Sequence, residues 1–235
     1  MFPVIENECE PTEPLRCFTC LSPKAWCYCH HIDSFDPNMV FVVLQHPLER
    51  RRRIATGRMT YLSLENANIF HGVEFDSNHE IQKWIDHDDY ACFLLYPGAH
   101  STNLSLLSEE QRKETFQTSQ QKIVIFLIDG TWATSKKTLR LSPNLAKIPR
   151  ITFDPPHPSR FLIRTQPKSN FYSTIEAAHQ CIELLGPSQH VNVSSGVHHK
   201  MLQPFHYMIQ QHRNFLANRE KRGLGRTPRK LKRMR

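Results

Sequence analysis

Ile123-Val124-Ile125-Phe126-Leu127-Ile128 runs without a polar residue into Asp129-Gly130-Thr131-Trp132. A continuous apolar stretch of this length, with no inward-outward alternation, is the pattern of a strand buried on both faces, as in a parallel sheet covered by helices. Two further runs have the same form. Residues 41–44 lead into Gln45-His46-Pro47-Leu48-Glu49, and residues 91–95 into Tyr96-Pro97-Gly98. The expected fold class is α/β, a mostly parallel sheet flanked by helices. Ligands of such sheets bind beyond the carboxyl ends of the strands, so function is expected in those three turns.

The flanking sequence supplies the helices. Residues 131–141 read as a helix with Thr131 as N-cap, ended near Pro143, which puts Asp129 and Gly130 in a strand-to-helix turn. Gly130 there permits φ > 0 or close approach of a ligand to the backbone, and the helix amides offer donors to an anionic group. A short helix is expected within residues 76–90, ending near Asp86-His87-Asp88-Asp89, and a polar one over 108–121 with Ser108 as N-cap. Residues 151–153 and 160–164 are short strand candidates around the rigid Asp154-Pro155-Pro156-His157-Pro158 turn. Ser173 or Thr174 with Glu176 forms a capping-box pattern opening a helix to Leu185. Ala177, Ala178, Cys181, Ile182 and Leu185 make its apolar stripe and Gly186-Pro187 its end. For Glu176 the capping role outweighs a catalytic one. Residues 201–218 read as a last helix.

The chain of 235 residues, 39% hydrophobic, is long enough for one sizeable core. It has no apolar stretch near the roughly 20 residues a membrane helix needs. The expectation is a soluble protein without a signal peptide, cytoplasmic, or nuclear if its source is eukaryotic. The formal charge of +8 is carried by residues 219–235, which hold nine Lys or Arg and one Glu; residues 1–218 sum to zero. A basic block without apolar periodicity is expected to be disordered alone and to meet a phosphate backbone; a targeting or solubilising role is the plainer alternative.

Cys17-x2-Cys20-x6-Cys27-x-Cys29 places four of the seven cysteines in one short window. Two close pairs across a short loop can converge four thiolates tetrahedrally, so a structural Zn2+ knuckle is expected, with Cys17, Cys20, Cys27 and Cys29 as ligands. His30 and His31 follow at once as substitutes for one ligand. Cys92 and Cys181 stand in apolar runs and read as buried small hydrophobes. The domain reading is an acidic disordered start (1–14), the knuckle (15–35), a catalytic domain (36–218) and the basic tail (219–235).

Taken in order, the cysteine motif, His46-Pro47-Leu48-Glu49, Thr56-Gly57-Arg58, Asp129-Gly130-Thr131-Trp132 and Ser173-Thr174-Ile175-Glu176-Ala177 resemble the DTW-domain family over about residues 15–215. That resemblance implies a tRNA-uridine aminocarboxypropyltransferase with S-adenosylmethionine as donor. Its products would be 3-(3-amino-3-carboxypropyl)uridine and 5′-methylthioadenosine. It also implies a fold related to the SPOUT methyltransferases, with a trefoil knot, and tRNA as partner to a monomer or homodimer.

Under that reading Asp129, the carboxylate ending an apolar strand, is the expected base or orienting group; capping the following helix is its structural alternative. Arg58 would clamp the donor's carboxylate or an RNA phosphate and Glu49 hold the donor's amino group, which completes the expected catalytic set. Donor-binding residues are expected at Leu95, Tyr96, Pro97, Leu127, Gly130, Thr131, Trp132, Ser173, Thr174 and Glu176, with Leu95, Tyr96 and Pro97 as an adenine slot. Trp132 would stack on a base, or else pack into the core. The Arg50-Arg51-Arg52-Arg53 run, with Arg160, Arg164 and Lys168, would form a basic RNA-facing surface. Two other functions fit the same residues: a SPOUT-like RNA methyltransferase, and a non-catalytic zinc-bearing RNA-binding module.

Overall fold

In the computed structural model, which describes residues 16–50, 52, 54–117, 121–161 and 171–221, the three apolar runs become β1 (Val40–Gln45), β3 (Tyr90–Leu95) and β5 (Lys122–Asp129). With β2 (Ala67–His71), β4 (Thr102–Asn103) and β6 (Arg150–Thr152) they form one six-stranded sheet of order β2-β1-β5-β3-β6-β4. Every pairing in it is parallel. β5 lies between β1 and β3, in register so that Gln45 stands beside Asp129 and Leu95 beside Leu127.

The absence of alternation in β5 has a direct cause. Ile123, Ile125 and Leu127 join Phe41 and Val43 in one apolar cluster, while Val124 and Phe126 join Val40, Val42 and Leu44 in another. Both faces are buried, and each of these large side chains contributes about 1.5–3 kcal/mol through burial. The first cluster takes in Met59 of α2 (Thr56–Ser63), Phe116 of α4 (Glu109–Phe116), the apolar stripe of α7 (Thr174–Leu185) and Phe205, Met208 and Ile209 of α8 (Gln203–Lys221). The second takes in Ile81 of α3 (His79–Asp86) and Leu145 of α6 (Pro143–Lys147), with Leu139 of α5 (Trp132–Leu141) against it. A single turn, α1 (Pro47–Arg50), follows β1.

Local signals set the helix starts. Ser108 and Gln111 make a reciprocal capping box at α4, Ser173 and Glu176 another at α7, and Thr131 caps α5 by accepting from the Thr134 amide. Gly186 does follow α7, but at φ −52°, and the chain continues through a 3-10 turn, Gly186–Gln189. Glycine is needed there for space, since a Cβ would meet Val193 Cγ1 at 2.9 Å. β2 and α2 have no counterpart in the sequence reading: β2 is half-exposed, and α2 begins at Thr56 without a capping side chain. Arg160 and Phe161 belong to no strand.

The expected acidic start, Arg51, Arg53, residues 162–164 of the second strand candidate, Lys168 and the basic block from 222 onward lie outside the described residues. Among the described residues, no helix is long and apolar enough to cross a membrane.

Candidate functional site

Asp129, at the carboxyl end of β5, is 5% exposed. Its Oδ2 accepts from Gln45 Nε2 at 2.8 Å and its Oδ1 from Thr174 Oγ1 at 2.5 Å. Parallel registry of β1 and β5 delivers the first donor, and the α7 N-terminus delivers the second. Gly57, in the first turn of α2, packs against the same carboxylate: any Cβ there would collide with Asp129 Oδ2 and Cγ. The adjoining Gly130 is forced by proximity rather than by backbone twist, since a Cβ would lie 2.6 Å from Thr134 Oγ1.

This carboxylate lies in a cleft of about 500 Å³ bounded by the ends of β3, β5 and β6 and by the first turns of α5 and α7. Aromatic rings form much of the wall. Trp132 meets Tyr96 edge-on at 5.7 Å between centroids and lies 4.8 Å from Phe171. Phe153 and Tyr172 pair at 5.7 Å, and the Arg150 guanidinium sits 5.7 Å from the Tyr96 ring centroid. Burial raises the Tyr96 and Tyr172 hydroxyls above the usual phenol range, so both remain neutral donors. The volume suits a small organic ligand, with apolar faces to cover a ring system and few polar groups to orient it.

A second constellation lies in the cysteine segment, two 3-10 turns (Lys24–Trp26 and Cys29–His31) without regular secondary structure. Cys17 Sγ is 3.6 Å from Cys29 Sγ and Cys20 Sγ 3.8 Å from Cys27 Sγ, too far for disulfides, and the four thiols lie within 4.8 Å of one another. A tetrahedral ion with metal–sulfur bonds of about 2.3 Å sets sulfur–sulfur edges of about 3.8 Å, so the set could hold a metal ion. The backbone amide of Cys20 is the largest influence drawing the Cys17 thiol down to about 6. Burial pushes Cys27 and Cys29 upward. A cation at the centre would offset that cost. Tyr28 and Cys20 are buried within the apolar cluster on the α7–α8 side of the sheet, while Trp26 contacts Phe215 and His31 contacts Tyr207 of α8.

The DTW-domain profile matches residues 14–213, a span enclosing both constellations. The chain belongs to the DTW-domain family. It is 31% identical over 183 residues to the Drosophila melanogaster protein named tRNA-uridine aminocarboxypropyltransferase 2, covering 74% of this chain and 68% of that one. The mouse protein of the same name is 25% identical over 177 residues, 72% of this chain and 56% of its own. The Macaca fascicularis protein, again of that name, is 22% identical over 191 residues, 77% and 61% of the two chains. No solved structure matches the chain.

The Asp129-Gly130-Thr131-Trp132 element characteristic of the DTW family thus forms the β5–α5 turn. Leu95, Tyr96, Pro97, Leu127, Gly130, Thr131, Trp132, Ser173 and Thr174 all line the cleft with Asp129. Glu176 stands behind it: its carboxylate accepts from the Ser173 amide and hydroxyl, the Ser159 hydroxyl and the Arg160 amide. Glu49 and Arg58 also stand apart from the cleft lining. Glu49 is buried and paired with Arg52 at 2.9 Å, and Arg58 reaches Thr19 O at 3.4 Å and His71 Nε2 at 3.5 Å. The sequence reading missed Gln45 as an Asp129 donor, Gly57 as its packing surface, and Phe153, Phe171 and Tyr172 as wall. Gln45 carried a signal, a lone amide ending an apolar strand; the aromatics carried none, because their positions depend on how the loops meet.

Proposed function

We propose that this DTW-domain protein is a tRNA-uridine aminocarboxypropyltransferase that moves the 3-amino-3-carboxypropyl group of S-adenosylmethionine to uracil N3 and releases 5′-methylthioadenosine. The observation that carries the proposal is the buried Asp129 carboxylate, held by Gln45 and Thr174 in an aromatic-walled cleft. The names of the three relatives point the same way.

The residues present fit the donor. Tyr96 and Trp132 offer faces for adenine and for the cationic sulfonium. The first turns of α5 and α7, at Thr131 and Ser173, bring helix amides to the cleft, which suits the donor's carboxylate. When bound, the donor supplies a carbon activated by the adjoining sulfonium, whose departing thioether needs no proton. What remains for the protein is orientation and removal of the N3 proton. A carboxylate offers about four accepting positions, so Asp129 takes that proton or aligns the N3–H group while Gln45 and Thr174 hold its plane.

Arg58, outside the cleft that takes the donor, is placed to meet an RNA phosphate, while Glu49, buried and paired with Arg52, positions that arginine. Arg160, His206 and Arg213 line a cleft of about 460 Å³, a place for RNA phosphates, and the nine Lys or Arg of residues 219–235 would add basic charge for the same partner. The cysteine segment holds structural Zn2+ as its own knuckle beside a catalytic domain of residues 36–218. A SPOUT-like knotted backbone, a cytoplasmic or nuclear location, and a monomer or homodimer complete the reading.

Mass spectrometry of nucleosides and small products after incubation with unmodified tRNA transcript and S-adenosylmethionine tests it. The expected result is a uridine bearing the aminocarboxypropyl mass, matched by methylthioadenosine. A methylated nucleoside with adenosylhomocysteine would replace it with the methyltransferase reading.

A further inference from the structure

Three imidazoles and one carboxylate converge at the far end of α7. His179 and Glu183 are one helical turn apart on the same face, while His198 and His199 come from the 3-10 turn Val197–Leu202, which runs into α8. His198 is fully buried and its Nε2 lies 2.8 Å from Glu183 Oε1. His179 Nε2 lies 2.9 Å from His199 Nδ1. Glu183 Oε1 is 3.9 Å from His179 Nε2 and 3.7 Å from His199 Nδ1. All four ligand atoms fall within 4.8 Å of one another.

We propose that His179, Glu183, His198 and His199 form a second zinc site, structural and separate from the cysteine cluster. Bonds of about 2.0–2.1 Å to nitrogen and oxygen set tetrahedral edges of about 3.3 Å, and the four separations above, 2.8 to 3.9 Å, lie on either side of that value. The chemistry of the donors selects the ion: imidazole suits zinc, and one carboxylate with three neutral rings leaves a net charge of +1, easily screened at a partly exposed position. Four protein ligands leave no open coordination position, which is the mark of a structural site. Glu183 is nine residues beyond Thr174, about 14 Å along the helix axis, so the ion would stand away from the cleft.

Its effect would be mechanical. The ion would join α7, whose first residue donates to Asp129, to the turn that launches α8, whose Tyr207, His212 and Phe215 pack on the cysteine segment. The proposal needs no assumption about the reaction catalysed.

Metal analysis of the full-length protein, loaded with zinc and then gel-filtered into metal-free buffer, tests it. The expected content is two zinc ions per chain, falling to one in the Glu183→Gln/His199→Ala double variant, whose altered side chains are both partly exposed. Cobalt titration of the unaltered chain gives an independent readout that requires no variant. One equivalent should show thiolate-to-metal charge transfer, and the other tetrahedral d–d absorption without it. Zinc content unchanged by the double variant, or cobalt bound only with thiolate-to-metal charge transfer, would overturn the assignment.

Discussion

Cys17 and Cys29 meet across 12 residues of chain, whereas Asp129 takes its hydrogen bonds from Gln45, 84 residues away, and Thr174, 45 residues away. The cysteine segment has no helix or strand longer than a 3-10 turn or a single bridge, so it has little regular structure of its own to hold its thiols together if they bind no ion. The cleft stands at the ends of parallel strands whose ladders persist whatever side chains line it. A site of the first kind should lose its shape when its ion is removed; one of the second should lose its chemistry while keeping its shape.

The sharpest test of that contrast is Asp129→Asn. General-base catalysis is worth about 10²–10⁴-fold, and a loss of that order in transfer is expected with the thermal midpoint nearly unchanged. Full activity in the variant would remove Asp129 from the mechanism. The opposite behaviour is expected of the cysteine segment. Structural zinc binds with an apparent about 10–16 kcal/mol, so chelation or Cys17→Ser should abolish hydrogen-exchange protection across residues 17–31 while β1 and β5 stay protected. Protection that survives chelation would show the segment to be held by its contacts with α8 alone.

Gly57→Ala probes where the two behaviours mix, because a methyl group there cannot coexist with the present Asp129 position. Overpacking of about 1–3 kcal/mol should appear in denaturant titration together with a marked fall in transfer. A variant of wild-type activity would mean that the carboxylate need not sit where it does. Glu176→Gln separates support from chemistry: losing acceptor capacity for buried donors should cost about 1–3 kcal/mol, with the donor KM little changed. A large rise in KM at unaltered stability would move Glu176 into the binding surface. The smallest effect is expected from deleting residues 219–235. RNA affinity should fall modestly and its salt dependence flatten, by a slope of about 0.7 for each single-strand phosphate no longer neutralised, as filter binding across a salt series would show.

Much of the framework was legible because its signals are local. Continuous apolar runs marked β1 and β5, whose two faces are covered, and β3, whose run is apolar though only partly buried, and Ser108, Thr131 and Ser173 announced α4, α5 and α7 through their caps. β2 was illegible for the converse reason: Ala67-Asn68-Ile69-Phe70-His71 lies half-exposed at a sheet edge and needs no continuous apolar run. At the cleft, the residues of the β3 and β5 turns could be nominated because strand ends are where ligands bind. Glu49 and Arg58 rest on the family resemblance and on bracketing the arginine run at 50–53, and their side chains turn to Arg52 and to Thr19 and His71.

The amino-acid sequence by itself determined which segments become the central strands, where three helices begin, that four cysteines fall in one short window, and that the excess charge is terminal. Each is a property of neighbours along the chain, set by periodicity, capping or short-loop reach. Only the tertiary structure decided that Gln45 and Thr174 hold Asp129, that Gly57 must lack a side chain, and that His179 and Glu183 meet His198 and His199. Those pairings follow from the strand order β2-β1-β5-β3-β6-β4 and from the docking of α7 on that sheet. Long-range closure of this kind is selected by the summed burial of two apolar faces, and it leaves no mark on the sequence around any one of the residues it brings together.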